Sequence, residues 1–382
     1  MNMKPFGIIR IGLHLLINDR AKFSALLVGI VFAVFLMTQM TAMFAGILNR
    51  AYSTITNVGA QMWVIDPAVN TPTTSFPLPN YLLDAVRSID GVKYAVPLYV
   101  GGAQVKLADG RLQSVSVVGL DDATLIGRPH MESGNIFDIY ADDAFVIVDD
   151  PEVVKLGNPT IGTTFEINDF RAVVVGIARV SANGLNGIPT LYTTYSRAVA
   201  YIPGTRFTIS YILVQPTSEA AVARIEQQVS SLGYLALTKG DFNRRIANYY
   251  IYQTGIGTNI LLMTIISFIV GASISGQTFY SFVLENLDKF GALKAIGARG
   301  SELVKMILFM AVLTALTGFG LGVGLVTLVI ALAKQALPNY AAMTTFWNLA
   351  ISFVMVLLIA AISSYIGIRR VLKIEPFDIF RG

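Results

Sequence analysis

Residues 23–48 read FSALLVGIVFAVFLMTQMTAMFAGIL, a run of 26 residues without a charged side chain. Three more charge-free runs follow, over residues 246–284, 306–333 and 346–368. A helix needs about 20 apolar residues to cross the hydrocarbon core of a bilayer, because it rises roughly 1.5 Å per residue. The sequence therefore predicts a polytopic α-helical membrane protein with four transmembrane helices, and a long polar segment between the first and second of them.

The composition agrees with a membrane protein. Hydrophobic residues make up 54% of the chain and charged residues 14%, and the mean hydropathy is +0.62, all on the apolar side of the soluble average. The net charge of +4 does not point to nucleic acid, because the basic residues form no single patch. The absence of cysteine excludes thiolate metal sites and cysteine nucleophiles, and it means that a disulfide-free outer domain must rely on its own core.

The positions of the basic residues predict the orientation in the membrane. They collect before the first run, between the second and third, and after the fourth, at Lys4, Arg10, Arg20, Lys22, Lys289, Lys294, Arg299, Lys305, Arg369, Arg370, Lys373 and Arg381. The segment 334–345 carries only Lys334. Because loops rich in Lys and Arg stay in the cytoplasm, both termini and residues 285–305 are predicted to be cytoplasmic, and the large domain is predicted to be outside.

These patterns divide the chain into nine predicted segments. They are a cytoplasmic amphipathic helix (1–22), transmembrane helix 1 (23–48), an extracytoplasmic α+β domain (49–245), a stalk with transmembrane helix 2 (246–284), a cytoplasmic loop (285–305), transmembrane helix 3 (306–333), a short external loop (334–345), transmembrane helix 4 (346–368) and a cytoplasmic tail (369–382). The first segment is interpreted as an interfacial helix, with targeting or partner binding as the alternative.

The charge-free run 246–284 is too long for a simple span. As one helix its 39 residues would measure about 58 Å, roughly twice the hydrocarbon thickness. Its first third is rich in tyrosine and asparagine, including Tyr249, Tyr250 and Tyr252. We therefore predict one continuous helix that leaves the bilayer as a stalk into the outer domain.

The outer domain shows both strand and helix signals. Alternating apolar residues surround Asp109-Gly110 and Asn168-Asp169, which predicts two hairpins. Further strands are predicted at 60–66, 92–100, 209–214 and 234–237, and helices at 79–88 and 218–232, the latter capped by Ser218. The stretch 176–204 has little periodicity, and it is either a binding loop or a long connection.

Small residues recur inside two of the predicted spans. The third contains Gly318, Gly320, Gly322 and Gly324, and the second contains Gly271 and Gly276. Small residues four apart allow helix backbones to approach closely. They serve either packing within the chain or a dimer interface.

Several kinds of chemistry are missing from the sequence. The two histidines, His14 and His130, are far apart, and neither an HExxH motif nor a GxxxxGK[ST] phosphate-binding loop occurs. The pairs Asp121-Asp122 and Asp149-Asp150 are interpreted as turns. None of the four runs contains Asp, Glu, Lys or Arg, which disfavours a transporter driven by protons or sodium. We expect no metal or cofactor in this chain, and a membrane-anchored enzyme has no site to support it.

Residues 285–299, ENLDKFGALKAIGAR, form a short mixed segment between two spans. Its apolar residues Leu287, Phe290, Leu293 and Ile296 recur at helical spacing, which predicts an amphipathic helix suited to docking a soluble partner. The sequence FGALKAIGA after an acidic residue resembles the hallmark of the FtsX-like permeases of ABC transporters. The terminal residues 374–381, IEPFDIFR, are similar to the closing motif of that family, and the layout of one span, a large domain and three spans matches it as well.

The resemblance is to the DevC, macrolide-exporter and lipoprotein-releasing types, and residues 26–33, LLVGIVFA, are similar to the first span of the DevC group. It implies a permease subunit that exports or extracts a hydrophobic or amphipathic molecule (a lipid, glycolipid, drug or haem-like compound) by mechanotransmission. The ATPase-coupling residues carried over are Glu285, Asp288, Lys289, Phe290, Gly291, Ala292, Leu293, Lys294, Ala295, Ile296 and Gly297. Phe290→Asp or Leu293→Asp is expected to uncouple ATP turnover.

The resemblance also implies partners and a location. ATP and Mg²⁺ are expected on a separate ATPase subunit, since this sequence has no phosphate-binding loop. A second permease copy is expected to complete a homodimer in the plasma (inner) membrane, and the family allows for a periplasmic adaptor and an outer-membrane channel. The alternative function is that of a non-transporting FtsX-type regulator that activates a cell-wall hydrolase.

Overall fold

The computed structural model describes residues 5–72, 76–107, 109–182, 184–185, 187–202, 208–337 and 339–373. The chain divides into a helical unit, residues 1–46 with 256–382, and a β unit, residues 47–255. Each unit has its own buried apolar core. The predicted closing motif at 374–381 lies outside the described residues.

Four helices dominate the helical unit. The described helices of the whole chain are α1 (Pro5–Asn18), α2 (Arg20–Ala51), α3 (Ser53–Val58), α4 (Asn80–Arg87), α5 (Tyr195–Tyr201), α6 (Glu219–Ser231), α7 (Lys239–Asn248), α8 (Ile256–Glu285), α9 (Leu287–Ala295), α10 (Gly300–Ala336) and α11 (Phe346–Leu372). Of these, α2, α8, α10 and α11 are long and apolar enough to cross a membrane. The large domain lies between α2 and α8 in the chain, so the predicted fold class is confirmed.

The prediction of one continuous helix over 246–284 is wrong. Helix α7 passes into a π-helical turn at Tyr249–Gln253, and α8 begins only at Ile256. Between them Gly255 has a φ of 74°, a left-handed conformation that glycine adopts without steric cost and that ends a helix. Gly255 therefore interrupts the predicted stalk.

Helix α2 packs against α8 and α10 at glycine residues of those two helices. A Cβ on Gly318 of α10 would lie 2.6 Å from Cγ2 of Ile30, and one on Gly322 would lie 2.6 Å from Cβ of Val34. A Cβ on Gly271 of α8 would lie 2.3 Å from Cβ of Ala33. These three glycines let α8 and α10 approach α2 within one chain.

The other three glycines singled out from the sequence, Gly276, Gly320 and Gly324, do not share that role. A Cβ on Gly320 or Gly324 would meet no described atom within 4 Å, and one on Gly276 would make only an ordinary contact, 3.8 Å from Oγ of Ser363. The alternation along α10 follows from the helical period, because residues two apart lie on opposite sides. Packing within the chain therefore accounts for Gly318 and Gly322, and it does not account for Gly320 and Gly324.

The β unit is built on one large sheet. Its strands are β1 (Met62–Ile65), β2 (Val92–Lys106), β3 (Leu112–Leu120), β4 (His130–Ser133), β5 (Ala144–Val148), β6 (Thr164–Ile167), β7 (Phe170–Arg179), β8 (Thr190–Thr194), β9 (Tyr211–Pro216) and β10 (Leu235–Thr238). Among the described residues the order is β10-β1-β9-β2-β3-β8-β5-β7-β4, with β6 paired to β2 and β7. Helices α4 and α6 cover one apolar core of this sheet, and α5 covers another.

Both predicted hairpins are confirmed. Lys106 pairs with Leu112 across the first turn, and Ile167 pairs with Phe170 across the second. In the second turn Asn168 and Asp169 have φ values of 46° and 70°, as the tight hairpin turn requires. Strand β2 is longer than predicted, because it continues from β9 to β3 without a break.

The prediction of an irregular stretch over 176–204 is wrong for most of its second half. Strand β8 and helix α5 occupy residues 190–201. Strand β8 lies between β3 and β5 and is buried along most of its length. A strand buried on both faces shows no alternation of polar and apolar residues, and its sequence TLYTT therefore gave no strand signal.

Candidate functional site

The segment between α8 and α10 folds as the short helix α9. Its first boundary is set by Asn286, whose side-chain Nδ2 donates to the carbonyl oxygen of Phe282 at 2.8 Å. Its other boundary is set by Gly297, which has a φ of 105°. The backbone N–H of Ala298 then donates back to the carbonyl oxygen of Leu293 at 3.0 Å, a helix-ending arrangement that favours glycine.

One side of α9 is anchored in the core of the helical unit. Phe290 is fully buried together with Phe282 of α8 and Met306 of α10. Leu287 and Leu293 are half-buried against the same core. The predicted apolar side of this segment is therefore directed inward at these three positions, and a large aromatic ring fixes the helix to its neighbours.

The other side of α9 is open. Among the predicted coupling residues the exposed ones are Glu285, Asp288, Lys289, Ala292, Ala295, Ile296 and Gly297. The spacing grouped Ile296 with Leu287, Phe290 and Leu293 on one apolar side, but Ile296 does not share their burial, because its side chain is 78% exposed. The helix ends at Ala295, so the helical period no longer applies at Ile296.

Charged contacts attach this segment to the start of α2. Lys22 forms ion pairs with Asp19, at 2.9 Å, and with Glu285 at the end of α8. The hydrogen bond from Lys22 holds the pKa of Asp19 below its usual range. On α9 itself, Nζ of Lys289 donates to Oδ1 of Asn286 at 2.8 Å. Sequence reasoning missed Asn286, whose side chain makes no capping hydrogen bond to the backbone of α9 and instead joins Phe282 of α8 to Lys289.

The other singled-out residues do not join this segment. His14 and His130 are both exposed, and they belong to different units. Among the described residues, no group of three or more His, Asp or Glu side chains could hold a metal ion. The chemistry that α9 offers is therefore a mixed apolar and charged surface, suited to contact with a protein.

Two family models match the chain in succession. The MacB-like periplasmic core domain matches residues 24–232, and the FtsX-like permease C-terminal domain matches residues 260–376. The first alone covers more than half of the chain. The chain belongs to the FtsX-like family of ABC transporter permeases. The second match contains α9 and its exposed face, so the segment with the geometry described above lies in the part that defines the permease family.

Relatives of this permease include transport proteins from several bacteria. It is 28% identical over 137 residues to a putative hemin transport system permease protein HrtB of Staphylococcus haemolyticus, covering 36% of this chain and 37% of that one. It is 21% identical over 389 residues to the macrolide export ATP-binding/permease protein MacB of Bradyrhizobium diazoefficiens, covering 96% of this chain and 59% of that one. The permease therefore spans less than two thirds of the length of either relative.

Solved structures also resemble part of the permease. The periplasmic region of MacB from Actinobacillus actinomycetemcomitans matches 51% of this chain and 96% of that one, with 14% identity and a TM-score of 0.38. The extracellular domain of the transporter YknZ from Gram-positive bacteria matches 47% of this chain and all of that one, with 15% identity and a TM-score of 0.36.

Proposed function

We propose that this chain is the membrane-spanning permease subunit of an ATP-driven transporter of the inner membrane, with both termini in the cytoplasm. Its substrate is a hydrophobic or amphipathic molecule, which it exports or extracts from the membrane. ATP and Mg²⁺ bind to a separate ATPase subunit, and a second copy of the permease completes a homodimer. A periplasmic adaptor and an outer-membrane channel are further partners in this scheme.

The two-sided geometry of α9 is the observation that carries this proposal. Its outer side is exposed, and its inner side is fixed by Phe290 to α8 and α10. A protein that pushes on the exposed face therefore moves two membrane-spanning helices together with α9. Because packed interiors resist compression, the push is transmitted along these helices and is not absorbed locally.

The composition of the four spans favours an energy source for transport that lies outside this chain. The apolar runs of α2, α8, α10 and α11 contain no Asp, Glu, Lys or Arg, which carriers driven by ion gradients use at mid-membrane. The work must then come from a partner, and the exposed face of α9 is a suitable place to receive it. Transport is preferred over the regulatory alternative, because the named relatives are export and transport proteins.

Ile296→Asp tests the docking role better than the changes suggested by the sequence. Phe290 is buried and Leu293 is half-buried, so an aspartate at either position would damage the core itself. Ile296 is exposed, so its replacement should leave the fold intact and place a charge on the docking surface. We expect the full-length Ile296→Asp variant to lose a co-purifying ATPase subunit, and the stimulation of ATP hydrolysis by the permease.

Leu112→Asp is the matched control. Leu112 is another exposed aliphatic residue outside the spans, in the β unit, and its change should leave both measurements as in the wild type. ATPase binding and stimulation that persist in Ile296→Asp would contradict the docking role of α9.

A further inference from the structure

The β unit contains a cavity of about 210 Å³ on one face of its sheet. Its floor consists of two adjacent rows of paired residues, which are Gly102, Ser116 and Thr190, and then Val100, Val118 and Tyr192. Because residues two apart on a strand point to the same face, the side chains of both rows lie on the face that lines the cavity.

Helix α3 and the segment after β7 form the opposite wall. Asn57 of α3 joins them: its Nδ2 donates to the carbonyl oxygen of Ala182 at 2.8 Å, and its Oδ1 accepts from the backbone N–H groups of Ser181 and Ala182, each at 3.1 Å. Three hydrogen bonds from one side chain give this wall a defined position. The cavity is therefore a built feature of the fold.

The hydroxyl groups of two largely buried residues line the cavity. Tyr192 is 2% exposed and Ser53 is 7% exposed. Neither hydroxyl makes a hydrogen bond to any residue in the part of the chain that the structure describes. Both are therefore available to a water or a ligand inside the cavity. Their presence points to a polar occupant.

Asp150 supplies the one carboxyl group of the cavity lining. It is buried, and its Oδ1 accepts from the backbone N–H of Glu152 at 2.9 Å. The neighbouring Glu152 forms an ion pair with Lys155 at 2.6 Å, whereas no ion pair among the described residues involves Asp150. The sequence predicts only a turn at Asp149-Asp150. In the structure this segment buries the carboxyl group of Asp150, which has no ion-pair partner among the described residues.

The electrostatics of Asp150 favour a cationic occupant. Burial raises its pKa to about 6, so the group is mostly ionised at neutral pH. A buried carboxylate is stabilised by a positive charge within hydrogen-bonding distance. Among the described residues no set of three or more His, Asp or Glu side chains exists to bind a metal, and hydroxyl groups beside a single carboxylate match a protonated amine better.

We propose that this cavity binds a small organic cation, a protonated amine that also carries hydroxyl groups. Asp150 is its counter-ion, and the hydroxyl groups of Tyr192 and Ser53 are its hydrogen-bond partners. A volume of about 210 Å³ is below the roughly 300–1,000 Å³ of pockets for drug-sized ligands. The occupant is therefore smaller than the amphipathic molecule proposed for transport, and this proposal does not rest on that one.

Serinol (2-amino-1,3-propanediol) and glycerol are matched probes for this site, since they differ only in an ammonium group in place of a hydroxyl. Their binding to the full chain in lipid nanodiscs can be measured by saturation-transfer NMR at pH 7.5. We expect serinol to bind in preference to glycerol. Asp150→Asn, which keeps the size of the side chain and its acceptor oxygen, should weaken serinol binding about tenfold or more. Tyr192→Phe should weaken it about threefold.

Asp149→Asn is the control, because Asp149 is adjacent in sequence but exposed, and this variant should bind serinol as the wild type does. Thermal unfolding of each variant shows whether its fold is intact. Equal binding of serinol and glycerol, or serinol binding that Asp150→Asn leaves unchanged in a folded protein, would overturn the proposal. Preference for glycerol would instead identify the cavity as a site for neutral polyols.

Discussion

At the scale of single residues, Asp150 makes the stability of the β unit depend on pH. Burial is the main cause that raises its pKa from 3.8 to about 6, and the nearby carboxyls of Glu152 and Asp149 add to the effect. The folded state therefore binds this proton more tightly than the unfolded state. The contribution of Asp150 to stability is most favourable below pH 4 and falls as the pH rises towards 6.

Asp150→Asn should remove this dependence. We expect the melting temperature of the variant, relative to that of the wild type, to rise between pH 4 and pH 6 and to stay level above pH 6. Thermal unfolding of both proteins across this range, without added amine, provides the measurement. Asp149→Asn serves again as the exposed control. A constant difference between Asp150→Asn and the wild type would mean that Asp150 titrates normally.

Phe290 and Ile296 show what residue spacing can and cannot predict. The period of 3.6 residues correctly predicted that Phe290, Leu287 and Leu293 share an apolar side. It failed at Ile296, because Gly297 adopts a positive φ and the helix ends before the period is complete. The burial of Asp150 was also beyond sequence reasoning, since it depends on α3 and β8, which lie far from it along the chain.

At the scale of elements, the glycines of α10 divide between two sides of one helix. Gly318 and Gly322 lie against Ile30 and Val34 of α2, and Gly320 and Gly324 lie in open space. Close approach at Gly322 leaves no room for a side chain, because the Cβ of Val34 belongs to a stiff β-branched residue that cannot move away. Sequence alone could not assign the two sides, since both sets of glycines have the same spacing.

Gly322→Ala should destabilise the helical unit, whereas Gly324→Ala should not. The new methyl group at position 322 would lie 2.6 Å from Cβ of Val34, and overpacking of this kind typically costs about 1–3 kcal/mol. At position 324 the methyl group meets no described atom. The measurement is thermal unfolding of the two variants in the same detergent. Similar losses in both would indicate that the face of Gly324 is also packed, for example by a second copy of the chain.

The four candidate spans and both predicted hairpins followed from the sequence, because their signals are local. Apolar length predicts a span, and Asn168-Asp169 predicts a tight turn. The stalk prediction failed at one residue, Gly255, whose φ of 74° interrupts an otherwise helical composition. Strand β8 was missed because its burial depends on β3 and β5, which no short window of sequence includes.

At the scale of the whole molecule, the alternation of apolar runs and basic segments predicts one arrangement across the membrane. In this proposed topology the β unit, between α2 and α8, and helix α9, between α8 and α10, are on opposite sides. The proposed surface for an ATPase and the proposed cavity for a small amine are then in different compartments. In this scheme a ligand in one compartment and nucleotide in the other both act on the same chain.

Single cysteines can test this arrangement directly, because the sequence contains no cysteine. Leu112→Cys should react with a membrane-impermeant maleimide on intact spheroplasts. Ile296→Cys should react only after the membrane is opened, and both positions are exposed. The extent of labelling can be read by mass shift on a gel. Labelling of Ile296→Cys on intact spheroplasts would contradict the proposed orientation.

The pairing of β1 constrains how this protein is made. Among the described residues, β1 pairs only with β9 and β10, which the ribosome produces some 150 residues later. Sheets with such distant partners form slowly. In the proposed topology the β unit therefore completes this edge of its sheet only after the residues up to Thr238 have crossed the membrane. A chain that stops before Tyr211 lacks both partners of β1 and cannot form this edge.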